Sequence, residues 1–184
     1  MNYPNNIQKN KKKIVTYSNR GMDLENLINK TNEYYLDTNQ AVIYKKPTPI
    51  GIVKGNYTKI TEAYFKTQST LDYNGLYKGK YIEFEAKETK CKTSFPLKNI
   101  HEHQIKHIKK IIEHKGICFI ILMMNGLYFL IKGEDIINYI ENNDRKSIDY
   151  DYILKNGHTL KENYNGLNYL EIVDKLYNVE FLWK

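Results

Sequence analysis

The sequence predicts an α/β fold, a mixed central β-sheet flanked by helices, and two observations carry that expectation. Apolar residues recur at helical spacing in some stretches and at strand spacing, or as short unbroken apolar runs, in others. An Asn125-Gly126 pair also separates two apolar runs, 117–124 and 127–131, which is a strong hairpin signal. Both runs are apolar on each face, so the hairpin is expected inside the sheet rather than at its edge.

Residues 1–17 lack periodicity and carry Lys9 and Lys11 to Lys13. They are expected to form a flexible basic arm, either clamping a polyanion or simply solvated. From there 18–184 is expected to be one domain, since the 184-residue chain is short for two. Leu24, Leu27, Ile28, Thr31 and Tyr35 share one helix face, with Ser18 or Asn19 as the N-cap. Gln40 to Lys45 is expected to be a strand ended by Pro47 and Pro49. The Gly- and Lys-rich stretch to about Thr61 looks irregular and exposed, and Tyr64 to Thr67 is a short strand candidate. Asp72 to Lys80, with Asn74-Gly75 and Gly79, is expected to bend sharply.

Lys80 to Glu88 alternates: Ile82, Phe84 and Ala86 fall on one face and Tyr81, Glu83, Glu85 and Lys87 on the other. His101 to His114 is helical, with Ile105, Ile108, Ile111 and Ile112 inward and Gly116 as its closing residue. Glu134 to Glu141 and Tyr169 to Tyr177 are further helices with a polar connection between them. The expected order is helix, three strands, helix, two strands, then helices.

The balance of 28 Lys and Arg against 21 Asp and Glu gives a net charge of +7. Such a surface attracts phosphate and releases counterions on binding it, although an AT-rich codon bias would produce the same excess of lysine. Two cysteines, Cys91 and Cys118, are too far apart for a CxxC pair, which argues against a disulfide framework and points to a reducing, cytoplasmic setting. The start of the chain is polar, and the longest apolar run is far below the roughly 20 residues of a membrane helix, so no membrane partner is expected. Walker A and GxGxxG patterns are absent, which excludes those nucleotide-binding classes.

The stretch that carries chemistry is Asp72, followed thirteen residues later by Glu85-Ala86-Lys87. Strand residues two apart point the same way, about 6.5 to 7 Å apart, so Glu85 and Lys87 project together. An upstream bend can bring Asp72 beside Glu85. Two carboxylates on a sheet face make a hard-oxygen site suited to magnesium, and an adjacent lysine can stabilise charge developing on a phosphoryl group. Spacing by itself also fits an ordinary exposed Glu–Lys pair.

The surroundings of this trio are more specific. The runs 69–75, 77–79, 81–89 and 92–99 closely resemble the RecU family of Holliday-junction resolvases. So do Asn19-Arg20-Gly21-Met22 with Leu24-Glu25, Lys46-Pro47-Thr48-Pro49, His101-Glu102-His103-Gln104, the run 116–119, and the run 173–177. The resemblance spans about Ser18 to Tyr177. It implies the restriction-endonuclease-like PD-(D/E)XK core, a homodimer, and paired symmetrical nicks in a four-way DNA junction that leave 5′-phosphate ends. It also implies a role in recombination and repair and a RecA-type recombinase as a further partner. The family's metal ligands match Thr70, Asp72, Glu85 and Gln104, its transition-state lysine matches Lys87, and its cofactor is Mg2+, with Mn2+ as a substitute. The family's stalk segment, which enters the junction centre, matches about 47–61 here but is shorter and differs in sequence.

Beside that core set, Glu25 on the first helix could lean toward the metal or be a surface acid. Arg20, Lys46, Lys54, Tyr73, Lys78 and Lys80 are candidate DNA contacts, with Tyr77 and Tyr81 as further rings able to stack on bases or to pack. His103 and His107 stand four apart and could bind zinc, though H-E-x-x-H fails at Ile105; solvated or DNA-facing histidines are the other reading. Two alternatives to a resolvase remain: a nuclease of the same fold cutting linear duplex, and a non-catalytic junction-binding or recombinase-regulating protein.

Overall fold

A computed structural model describes residues 20–56, 58–66 and 70–179. The expected arm at 1–17 and the candidate caps Ser18 and Asn19 lie outside those residues, as does Thr67. Helix α1 (Arg20–Asp37) buries Leu24, Ile28, Thr31 and Tyr35, the stripe its sequence spacing marks. Strands β1 (Val42–Lys45), β4 (Tyr73–Tyr77) and β5 (Lys80–Glu88) then form antiparallel neighbours. Helix α2 (Glu102–Glu113) carries the chain across to β7 (Ile117–Met124), which pairs with β5 in parallel. Strand β8 (Leu127–Lys132) folds back on β7 through Asn125-Gly126, whose φ values of 53° and 76° are those of a two-residue hairpin turn.

The six-stranded sheet runs in the order β1-β4-β5-β7-β8-β10, with β10 (His158–Leu160) on its far edge. As expected, the sheet is mixed and the β7–β8 hairpin is internal. Helices cover both faces. On one, α1 and α5 (Tyr169–Tyr177) pack Ile28, Tyr35, Leu170 and Val173 against Ile82, Phe84, Phe119, Ile121 and Leu130. On the other, α2, α3 (Gly133–Asn142) and the short α4 (Tyr150–Asn156) cover Cys118, Ile120, Leu122, Phe129 and Ile131. Phe84 lies flat between Tyr73 and Phe119, with ring centroids 4.9 and 4.7 Å apart and planes 9° apart in each pair. This ladder crosses the three central strands on the α1/α5 face. The odd-numbered residues of β5 are therefore turned toward α2.

Several expectations are corrected. The bend in 72–80 lies at Lys78-Gly79, with φ of 47° and 78°, and Asn74-Gly75 is inside β4. Gly75 is required by a close approach instead, since a Cβ there would lie 2.0 Å from the Val42 carbonyl oxygen. Lys115, with φ of 60°, makes the left-handed exit from α2, whereas Gly116 is needed because a Cβ would press within 2.7 Å of Ile111. The stretch expected to be irregular is an antiparallel hairpin, β2 (Ile50–Gly55) with β3 (Ile60–Phe65). Asn56 closes it by accepting from the backbone N–H groups of Thr58 and Lys59. Both faces of that hairpin are largely exposed, so no burial pattern marked it as two strands. Strand β6 (Ser94–Pro96) pairs with β9 (Ser147–Asp149), and β11 (Glu162–Asn163) with β12 (Gly166–Leu167). The polar connection before α5 thus holds β9, α4, β10, β11 and β12, elements too short to show a period.

Cys91 is exposed and Cys118 buried, and neither is in a disulfide. Among the described residues no helix is long and apolar enough to cross a membrane. The aromatic ladder sets the sheet's central register. Phe84→Ala is expected to cost about 3–5 kcal/mol of unfolding free energy, read from the urea midpoint at unchanged m-value.

Candidate active site

On β5 the alternation expected from sequence places Ile82 and Phe84 in the core under α1 and α5. Glu83 and Glu85 point the other way, yet they are 0% and 2% exposed because α2 closes over them. A buried carboxylate requires hydrogen bonds and a compensating charge. Each of the two acids meets this requirement differently.

Asp72 stands across from Glu85, one residue before the Tyr73–Phe84 pair of the β4–β5 register. Its backbone N–H donates to Glu85 Oε2 at 3.0 Å, and its own Oδ2 accepts from the Ala86 N–H at 3.2 Å. The two carboxylates are thus pinned to each other's strand. Gln104, 5% exposed in the first turn of α2, donates from Nε2 to Glu85 Oε1 at 2.8 Å and to the Thr70 carbonyl at 3.1 Å. Its side-chain oxygen accepts from the His101 N–H, the cap of that helix. Lys87 Nζ lies 2.6 Å from Glu85 Oε1. Four of the five core residues expected from sequence therefore meet at Glu85.

Thr70, the fifth, is adjacent. Its hydroxyl accepts from Lys46 Nζ at 2.5 Å and donates to Glu83 Oε1 at 3.2 Å. Glu83 is the residue for which sequence reasoning found no role. The same carboxylate accepts from Lys46, from the Leu71 N–H at 3.4 Å and from the Tyr81 hydroxyl at 2.5 Å, and it meets His107 Nε2 at 2.9 Å. Burial pushes its carboxyl up, but the hydrogen bonds from Lys46, Tyr81 and His107 outweigh burial and hold it below its ordinary value. Its place on the Tyr81, Glu83, Glu85, Lys87 face was legible in the sequence, but its partners were not.

Glu85 is held in the opposite state. Its carboxyl is pushed up to about 7, first by burial and then by the charge of Asp72, while Lys87 and Gln104 pull the other way. A buried carboxylate and a half-buried one, together short of positive charge and beside the oxygens of Thr70, fit a hard divalent cation. Among the described residues no group of three or more His, Cys, Asp and Glu side chains converges to hold a metal, so the candidate set is two carboxylates plus neutral oxygens.

The match to the RecU family model, described as recombination protein U, covers residues 19–175. The chain belongs to the RecU family. The Holliday junction resolvase RecU of Oceanobacillus iheyensis is 51% identical over 96% of this chain and 100% of its own length. RecU proteins of the same name from Streptococcus thermophilus and Bacillus pumilus are 46% and 48% identical. They cover 96% and 88% of this chain and 97% and 83% of their own lengths. The structure of Archaeoglobus fulgidus Hjc, a Holliday junction resolvase, matches at a TM-score of 0.43 and 10% identity over 75% of this chain and 94% of its own, a likeness that bears no weight in the assignment.

The outer residues expected from sequence divide. Lys54 is exposed on β2, where it lies 3.7 Å from Glu62, and Lys80 is exposed at the start of β5. Lys46 is drawn inward to Glu83. Tyr73 is not a DNA contact: it is 0% exposed and stacked on Phe84, because it falls on the core face of β4. Tyr77 is buried as well, whereas Tyr81 keeps 43% of its surface exposed. Lys78 is not a free DNA contact either, since Asp174 binds it at 2.9 Å through both carboxylate oxygens. The Arg20 side chain lies outside what is described. Glu25 pairs with Lys45 at 2.6 Å and stays partly exposed on α1. His107 faces Glu83 and the His103 ring stacks on His101, so the two imidazoles do not share a zinc-binding face.

The raised Glu85 carboxyl has a consequence for stability. Between the ordinary value of 4.5 and about 7 the folded state holds a proton that the unfolded state has lost. Metal-free stability therefore falls as pH rises through that window. Glu85→Gln is expected to remove this slope, on the order of 2 kcal/mol between pH 5 and 8, measured by urea unfolding in EDTA.

Proposed function

We propose that this chain is a Holliday-junction-resolving endonuclease that depends on a divalent metal, magnesium or manganese. It acts as a homodimer during recombination and repair and makes paired symmetrical nicks that leave 5′-phosphate ends. The observation that carries this reading is Glu85, buried against Asp72 with Lys87 at 2.6 Å, in a chain of the RecU family. The names of the RecU relatives support the substrate.

Asp72 and Glu85 would hold the ion, with Thr70 beside them. A divalent ion bound there supplies Lewis acidity, polarising the scissile phosphate and making water a better nucleophile. Gln104, as oriented, presents its amide nitrogen and so fixes the Glu85 carboxylate rather than donating an oxygen. Lys87 Nζ is placed to meet the negative charge that grows on the phosphate oxygens. On binding DNA it exchanges part of its ion pair with Glu85 for that phosphate. Two-fold symmetry of a homodimer supplies two such sites for two symmetrically placed strands. The β2–β3 hairpin, with Ile52, Val53 and Tyr64 more than half exposed, is the segment that would enter the junction centre.

The test compares single-turnover cleavage of a four-way junction and of a matched linear duplex across a magnesium titration. The junction is expected to be cut preferentially. Preference for the duplex sinks the resolvase reading, and binding without nicking in either metal makes the protein non-catalytic. In the same assay, Lys87→Ala is expected to slow cleavage by about 100- to 1000-fold, and Asp72→Asn to abolish it with junction affinity kept within about threefold.

A further inference from the structure

Beyond the metal-binding pair, the α2 face of the sheet carries a cleft that no step above uses. It has a volume of about 360 Å³ and is lined by Tyr81, His107, Lys110, Ile111, His114 and Gly116. That volume is at the small end of the range for ligand sites. Its floor is apolar, formed by Ile111 and by Gly116, where the missing side chain lets β7 start close under α2. Its walls are an exposed tyrosine ring and an imidazole, and Lys110 and His114 stand exposed at the end of α2.

Both walls are anchored on one buried atom group. The Tyr81 hydroxyl donates to Glu83 Oε2, and His107 Nε2 lies 2.9 Å from Glu83 Oε1. The same Oε1 takes the Thr70 hydroxyl at 3.2 Å, and Lys46 bridges that hydroxyl to Glu83. Two contacts to a single oxygen put the His107 nitrogen within about 6 Å of Thr70, which is on the order of two nucleotide rises along a strand. A strand whose phosphate sat over Asp72 and Glu85 would have a base within about two nucleotides of it in reach of this cleft.

We propose that the cleft is a nucleobase subsite: it takes a base within about two nucleotides of the scissile phosphate, stacked on Tyr81, with Lys110 and His114 meeting the adjoining backbone. This rests on the endonuclease reading above. An aromatic face beside cationic side chains is the chemistry that holds an unstacked base next to its phosphates. A branch point offers bases whose stacking is already interrupted, so taking one up costs less there than within a duplex. Glu83 is the positioning residue of the subsite. Its carboxylate fixes the walls and the metal-side residue Thr70 in one frame, so occupancy of the cleft and alignment of the phosphate are set together.

The experiment removes the base rather than the protein group. Four-way junctions carrying a single abasic site at each position within about two nucleotides of the cleavage point are bound to the full-length protein in calcium, and cut in magnesium. At one position, loss of the base is expected to weaken wild-type binding about tenfold, and Tyr81→Ala to bind intact and abasic junctions within about twofold of each other. Tyr81→Phe, which keeps the ring and loses the bond to Glu83, is expected to retain most of the sensitivity. The proposal is overturned if no abasic position weakens wild-type binding, or if Tyr81→Ala remains as sensitive as wild type. Wild-type protein that binds every junction but cuts none would sink the endonuclease reading while leaving the binding comparison to decide the subsite.

Discussion

Glu85 places a carboxylate where water does not reach, and much of the surrounding structure serves to hold it there. The Asp72 backbone, the Gln104 amide and the Lys87 ammonium approach it from the residue before β4, from α2 and from β5. Lys87 alone does not neutralise the site, because Asp72 adds a second negative charge at the same place. A fold would gain stability by replacing such a pair with apolar residues of similar volume. The pair suits a site where a divalent cation supplies the missing positive charge.

Holding two acids in that state needs a rigid platform, and the opposite face of the same strands supplies it. Tyr73, Phe84 and Phe119 stack across β4, β5 and β7, and Tyr169 of α5 packs on Phe84 and Phe119. Because side chains alternate along a strand, a register fixed by Phe84 fixes Glu83 and Glu85 on the other side. A slip of one residue would exchange the two sets, putting carboxylates in an aromatic core.

The two buried acids of β5 then divide the work. Glu85 is short of positive charge, while Glu83, two residues earlier, is oversupplied with donors and stays ionised. One suits a cation and the other suits a framework. That framework reaches from Thr70 to Tyr81 and His107, so the candidate metal site and the cleft along α2 share a single buried anchor.

Elements with strong periods are legible along the chain: the apolar stripe of α1, the alternation of β5, the internal Asn125-Gly126 hairpin and the inward edge of α2. Strand period put Glu85 and Lys87 on one face with Asp72 within reach, while Thr70 and Gln104 came only from the resemblance to the RecU family. Tertiary structure decided the rest. Tyr73 and Lys78 look like DNA contacts along the chain, but only packing against Phe84 and pairing with Asp174 remove them from the surface. The β2–β3 hairpin was hidden because neither of its faces is covered, so burial leaves no imprint on its sequence. Glu83 lacked a role because its partners Lys46 and His107 lie 37 and 24 residues away, and no local pattern encodes a contact across that distance.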